Sequence, residues 1–223
     1  MTAMFRDRQE AGERLGLELL GAKLAKPVVL ALPRGGIPVA AAVASALDAP
    51  LDVLIVRKVG APGNAELAVA AIVDGTPPDV VVNREIVEAY SLGDEELAAL
   101  VNAERPELER RSRLFRGVTR SHSLAGRTAV LVDDGAATGA TLKVALRAVK
   151  RRGPTRTVVA LPVAPSDALD VLRQEADQVF CLSAPGRFRA LSYHYRSFPQ
   201  LTDEDAMNAL RAANEERRLR HPR

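Results

Sequence analysis

A chain of 223 residues with 47% hydrophobic content is long enough to bury the core of one α/β domain and its appendages. Lysine and arginine (31) nearly balance aspartate and glutamate (28), and a formal charge of +3 suits an anionic small ligand without calling for nucleic acid. The single cysteine, Cys181, excludes an internal disulfide framework, and three scattered histidines have no metal-ligand spacing.

In chain order, Asp7 to Leu20 carries Ala11, Leu15 and Leu19 at four-residue steps among charges, the pattern of an amphipathic helix that packs on the domain. Pro27 to Leu32 is a short apolar run ending in Pro33-Arg34-Gly35-Gly36, and Ile37 to Leu47 is rich in alanine and valine without charge, so strand, glycine turn and buried helix are predicted. Leu51 to Val56 reads as the next strand, parallel to the first, with Arg57 and Lys58 at its end. Gly60, Pro62, Gly63 and Asn64 then mark a loop. Leu67 to Val73 and Val80 to Asn83 read as a hairpin around Asp74 to Pro78. Arg84 to Arg116 is strongly charged with apolar residues at helical steps, giving two or three helical pieces broken at Gly93 and Pro106. The alternation then resumes with a strand at Thr128 to Val132, a helix at Thr141 to Arg152 and a strand at Thr155 to Leu161. A helix at Asp167 to Glu175, a strand at Gln178 to Leu182 and a polar tail helix at Asp203 to Leu219 follow. The sum is a doubly wound, mostly parallel sheet with a projecting hairpin, a helical insertion and a C-terminal hood and tail. One domain over 1–223 is expected, with its core at about 27–182, the insertion at about 84–116 and the hood and tail at about 183–223. The first residues turn charged at once and no apolar run approaches a membrane span, so a soluble, cytoplasmic protein is expected.

The segment most able to carry chemistry runs from Val130 to Thr141. It is an apolar strand, then Asp133 and Asp134, then Gly135, Ala136, Ala137, Thr138, Gly139, Ala140 and Thr141 leading into a helix. In a parallel sheet ligands sit beyond the C-terminal strand ends, and small residues ahead of a helix present backbone N–H groups to a phosphate at the positive end of the helix dipole. Thr138 and Thr141 can add hydroxyl donors. Asp133 and Asp134 are acceptors suited to two adjacent sugar hydroxyls or, through water, to magnesium. A phosphate and a diol a sugar's length apart describe a phosphorylated pentose. The segment has neither the Gly-Lys-Ser/Thr ending of a P-loop nor Gly-x-Gly-x-x-Gly. The same residues also read as an Asp-Gly turn before a helix capped by Thr138 or Thr141.

The segment resembles the 5-phosphoribosyl-1-pyrophosphate (PRPP) binding motif of the type I phosphoribosyltransferases, most closely the adenine-type version. The resemblance implies that Asp133 and Asp134 hold the ribose 2′- and 3′-hydroxyls and that Gly135 to Thr141 hold the 5′-phosphate. Ala137 stands where the enzymes acting on 6-oxopurines have aspartate, which counts against hypoxanthine or guanine as acceptor. Pro33-Arg34-Gly35-Gly36 falls where the family places its pyrophosphate loop, with Arg34 able to clamp a diphosphate. Similar enzymes close a mobile loop over the pyrophosphate at the position of Arg57 and Lys58, and Glu66 is the carboxylate in reach of the acceptor's proton. Five of the eight aromatic residues, Phe180, Phe188, Tyr193, Tyr195 and Phe198, gather late in the chain. They read either as an acceptor pocket, with Phe188, Tyr193 and Tyr195 foremost, or as a small aromatic core pinning the tail. The expectation is transfer of ribose 5-phosphate from PRPP to a nitrogenous acceptor, with Mg2+ as cofactor, in a homodimer, without a membrane or nucleic-acid partner. The rival expectation is a regulatory or RNA-binding module of the same fold that senses PRPP without turning it over.

Overall fold

The computed structural model describes residues 4–75 and 77–221, apart from the side chains of Ala65 and Glu66. Five parallel strands form the main sheet in the order β2-β1-β6-β7-β8, where β1 is Pro27–Ala31, β2 Leu51–Val53, β6 Thr128–Val132, β7 Arg156–Val163 and β8 Gln178–Ser183. Strand periodicity divides the core. Val29 and Ala31 of β1 face one apolar layer, while Val28 and Leu30 face the other. Helices α1 (Arg8–Leu20), α2 (Gly36–Ala46) and α7 (Asp203–Arg220) cover the first side, and α5 (Ala140–Lys150) and α6 (Ser166–Glu175) the second. Helix α2 can be apolar all round because α1 and α7 cover the side turned from the sheet.

The stretch expected as one strand from Leu51 to Val56 is divided. Strand β2 stops at Val53, and β3 (Val56–Ala61) belongs to a separate antiparallel sheet with β4 (Asn64–Val73) and β5 (Asp79–Val82), in the order β3-β4-β5. The reason is that β1 runs out of paired length at Ala31, so the Ile55 amide turns instead to the buried Asp74 carboxylate at 3.0 Å. Arg57 and Lys58 therefore lie within a strand, paired with Ile72 and Ala71, and do not open a loop. The expected hairpin is likewise the latter part of a three-stranded sheet. Its joint with the main sheet is ionic: Arg116, at the end of α4 (Asp94–Arg116), pairs with Asp52 of β2 and, at 2.6 Å, with Asp74.

Helix α3 (Arg84–Ala89) precedes α4, and Gly93 is the N-cap of α4, so a helix boundary at Gly93 holds. Pro106 does not break α4. It sits on the exposed side, where the carbonyl of Asn102 that loses its donor faces water, while Val101, Leu108 and Phe115 form the buried stripe seven residues apart.

Candidate functional site

Strand β1 crosses through α2 to β2 on one side of the sheet, and β6 crosses through α5 to β7 on the other. The strand order thus reverses between β1 and β6, adjacent strands in register from Pro27↔Thr128 to Ala31↔Val132. Loops leaving two such strands part to opposite faces and open a crevice at the C-terminal edge. Both predicted loops, Pro33 to Gly36 and Asp133 to Thr141, leave the sheet there.

They touch. A side-chain carbon on Gly35 would lie 2.1 Å from Asp134 Oδ2, so only glycine lets the first loop lie against the carboxylates of the second. Within the first loop the Pro33–Arg34 peptide is cis. In the second loop, Gly139 is the N-cap of α5 with φ +74°, and the Thr138 hydroxyl oxygen accepts from the Ala140 amide at 3.4 Å. The amides of Ala137, Thr138, Gly139 and Thr141 have no acceptor among the described residues. Together with Asp133, residues 135–142 line a hollow of about 170 Å3. Unpaired amides at the start of an 11-residue helix make this hollow a receptor for an anion.

The carboxylates close the inner end. Asp133 is half-buried and accepts from the Asp134 amide at 2.9 Å. Asp134 is buried; its Oδ2 takes Arg8 Nε at 2.8 Å, and its carbonyl takes the Tyr195 hydroxyl at 2.6 Å. Burial, and then the neighbouring charge of Asp134, push the Asp133 carboxyl well above the usual carboxylate range. Burial raises Asp134 too, against the opposing pull of Arg8.

Beyond Asp134 opens a second cavity of about 450 Å3, walled by Arg8, Pro33, Arg34, Gly35, Arg111, Leu191 and the run from Phe198 to Leu201. Arg34 borders it, its Nη1 3.6 Å from Asp203 at the start of α7. Arg110 reaches the same Asp203 at 3.6 Å, and Glu107 holds Arg110 at 2.7 Å and Arg111 at 2.9 Å. Those two guanidiniums keep the Glu107 carboxyl low, at about 2.

Pro33, Arg34, Gly35 and the residues from Asp133 to Thr141 thus come together. Gly36 begins α2 directly behind Asp133. Arg57 and Lys58 line neither hollow; Arg57 is tied to Glu104 of α4 at 2.5 Å. The side chain of Glu66 lies outside the described residues. Of the aromatic residues, Tyr195 is buried beside Phe5, Phe188 stacks on His194, and Tyr193 is exposed. Phe198 is the one that walls the cavity.

Arg8, Arg111 and Asp203 join the site without having been singled out in the sequence. Arg8 carried a signal: it stands three residues before Ala11, on the stripe that continues through Leu15 and Leu19, and a charge on a buried stripe demands a partner. The first residues bring it into place, for Met4 and Phe5 donate their amides to the His194 carbonyl, and Arg196 and Ser197 donate theirs to Phe5 and Arg6. Arg111 and Asp203 look in sequence like solvated helix charges, and only the tertiary fold aims them.

The family profile described as phosphoribosyl transferase domain matches residues 9–195. Proteins of two Mycobacterium tuberculosis strains, CDC 1551 / Oshkosh and H37Rv, each provisionally named phosphoribosyl transferase, are 41% identical over 211 residues, 95% of this chain. The chain spans about half the length of these curated relatives, 47% in each case. A crystal structure from Thermus thermophilus superposes with a TM-score of 0.85 at 42% identity, over 95% of this chain and 99% of that one. A profile running from α1 to the hood, on a parallel sheet whose two loops meet at the switch point, places the chain in the phosphoribosyl transferase family, with the type I fold.

Proposed function

We propose that the chain transfers ribose 5-phosphate from PRPP to a nitrogenous acceptor and releases pyrophosphate. The observation that carries this reading is the amide-lined hollow ending on a carboxylate pair. The 5′-phosphate sits in the hollow on the amides of Ala137, Thr138, Gly139 and Thr141, and Asp133 and Asp134 accept from the ribose hydroxyls. The anomeric carbon then faces the larger cavity, where Arg34 meets the pyrophosphate. The bond from that carbon to the pyrophosphate oxygen breaks with its electron pair leaving on oxygen, a nitrogen lone pair of the acceptor forms the new bond, and the nitrogen's proton passes to solvent. The protein's part is positioning and charge compensation, so no nucleophilic side chain is required.

Among the described residues no three His, Cys, Asp or Glu side chains gather as a metal cage, and one oxygen of Asp134 is taken by Arg8. This donor set fits a magnesium ion held through ribose hydroxyls, pyrophosphate oxygens and water, with Asp133 and Asp134 as outer partners. Bound with pyrophosphate, magnesium would neutralise part of the leaving group's charge.

Asp133→Asn tests the assignment without disturbing the Arg8 pair. It should weaken PRPP by roughly tenfold to a hundredfold, the equivalent of one hydrogen bond to a charged acceptor, while inorganic phosphate binds as well as before or slightly better. Calorimetric titration reads both. Unchanged PRPP affinity would overturn the sugar site, and PRPP binding without pyrophosphate release across a scan of nucleobases and amines would point to a sensing module.

A further inference from the structure

We infer that the larger cavity selects an acceptor bearing a negative charge, a carboxylated heterocycle in preference to a neutral base, and that Arg111 is the residue that reads the charge. The inference rests on the phosphoribosyl-transfer reading of the same site and names its acceptor class.

The first ground is how the cavity's charges are committed. Arg8 commits its Nε to Asp134 at 2.8 Å and its Nη1 to the Pro199 carbonyl at 2.9 Å, and Arg34 faces the pyrophosphate side, 3.6 Å from Asp203. Arg111 remains. It enters from α4, an element the phosphate site does not use, and its side chain keeps 24% exposure at the cavity wall. Glu107 grips it through Nε at 2.9 Å, and its two terminal nitrogens have no partner among the described residues. A guanidinium fixed at Nε and open at both Nη atoms presents the fork that a carboxylate fills. Among the residues that line the cavity itself, Arg8, Arg34 and Arg111 stand against one carboxylate, Asp134.

The second ground is the want of an open aromatic face. One side of the Phe198 ring is covered by the Arg8 guanidinium, 3.7 Å from the centroid, and the ring also stacks with Tyr195 at 4.9 Å. A planar acceptor finds Leu191, Leu201 and prolines for walls, which hold its thickness and leave its orientation to a polar contact. A neutral base would leave the Arg111 fork unfilled. An anionic acceptor, which must lie beside the phosphates of PRPP, gains from Arg111 the cation that offsets their repulsion.

The test is a set of calorimetric titrations of the full chain with two matched pairs, nicotinate against nicotinamide and orotate against uracil, run beside PRPP with magnesium. The carboxylated member of at least one pair should bind about tenfold or more tightly than its neutral partner. Arg111→Gln should abolish that preference and leave PRPP affinity within about twofold, while Arg111→Lys, which keeps the charge and loses the fork, should retain part of the preference. Neutral members binding as well as charged ones, no carboxylate binding at millimolar concentration, or a preference that survives in Arg111→Gln overturns the inference. So does a loss of PRPP affinity in Arg111→Gln equal to the loss for carboxylates, which would assign Arg111 to the pyrophosphate. Failure of the phosphoribosyl reading itself shows separately, as absence of PRPP binding to the unmodified protein.

Discussion

The two hollows that meet at Asp133 and Asp134 are built in opposite ways. Apart from Asp133, the smaller is made by one unbroken stretch, residues 135–142, and its binding groups are backbone amides. The larger draws on α1, the loop after β1, α4, the loop after β6 and the segment before α7, and its binding groups are long side chains. A hollow of the first kind owes its shape to local chain geometry and takes a group common to many ligands. One of the second kind depends on every element around it being in place, and can therefore be particular about what it accepts. The contrast predicts where substitutions act on the fold and where they act on selectivity.

The largest effect should come from the backbone-built hollow. Gly135 has φ +152°, and a side-chain carbon there would lie 2.8 Å from the Val163 carbonyl oxygen and 2.2 Å from Leu191. Gly135→Ala combines backbone strain with overpacking, and about 4 kcal/mol should be lost, lowering the melting temperature by roughly 10 °C. A melting curve that overlays the unmodified protein would show that this loop relaxes freely and that the contrast is misdrawn.

Arg8→Met should come next, at about 2 to 4 kcal/mol near neutral pH, because it leaves Asp134 buried without its cation. The sign with pH follows from the direction of the shift. The folded-state pKa of Asp134 is already raised by burial, and removing Arg8 raises it further, so the variant loses stability as pH rises through that elevated window. Its deficit should be largest at the alkaline end of the range and shrink as pH falls through that elevated window, where a protonated Asp134 no longer needs a partner. A deficit independent of pH in chemical denaturation would assign the loss to packing over Phe198 alone.

The smallest effect belongs to the side-chain hollow's exposed rim. Glu107→Gln removes the carboxylate shared by Arg110 and Arg111, yet these are surface pairs, and stability should change by less than about 0.5 kcal/mol. What should change is acceptor preference, since the Arg111 fork loses its anchor. A stability loss of several kcal/mol with acceptor preference intact would mark Glu107 as structural.

The same contrast governs how much could be read from sequence. Asp133 to Thr141 was legible because strand, turn and helix start follow one another in the chain, each with its own chemical signature. Pro33 to Gly36 was legible for the same reason, although the closest role of Gly35 is steric, clearing room for a carboxylate far along the chain. The end of β2 was not legible, because Leu51 to Val56 is apolar throughout apart from Asp52, and its division depends on where β1 stops and where Asp74 waits. Nor did Pro106 tell which side of its helix would be wet. Arg111 has the local sequence of any charged helix, and its place in the cavity wall is a property of the way α4 is laid down.

That helix is pinned five residues past Arg111, where Arg116 joins Asp52 and Asp74 across the two sheets. At 1.5 Å per residue the pin stands only about 8 Å along the axis from the cavity. The wall that carries Arg111 is therefore a strut and not a flap. An incoming anion meets a charge already fixed in place, spends little of its interaction on ordering the protein, and an ill-fitting one finds a wall that cannot give way without parting the sheets.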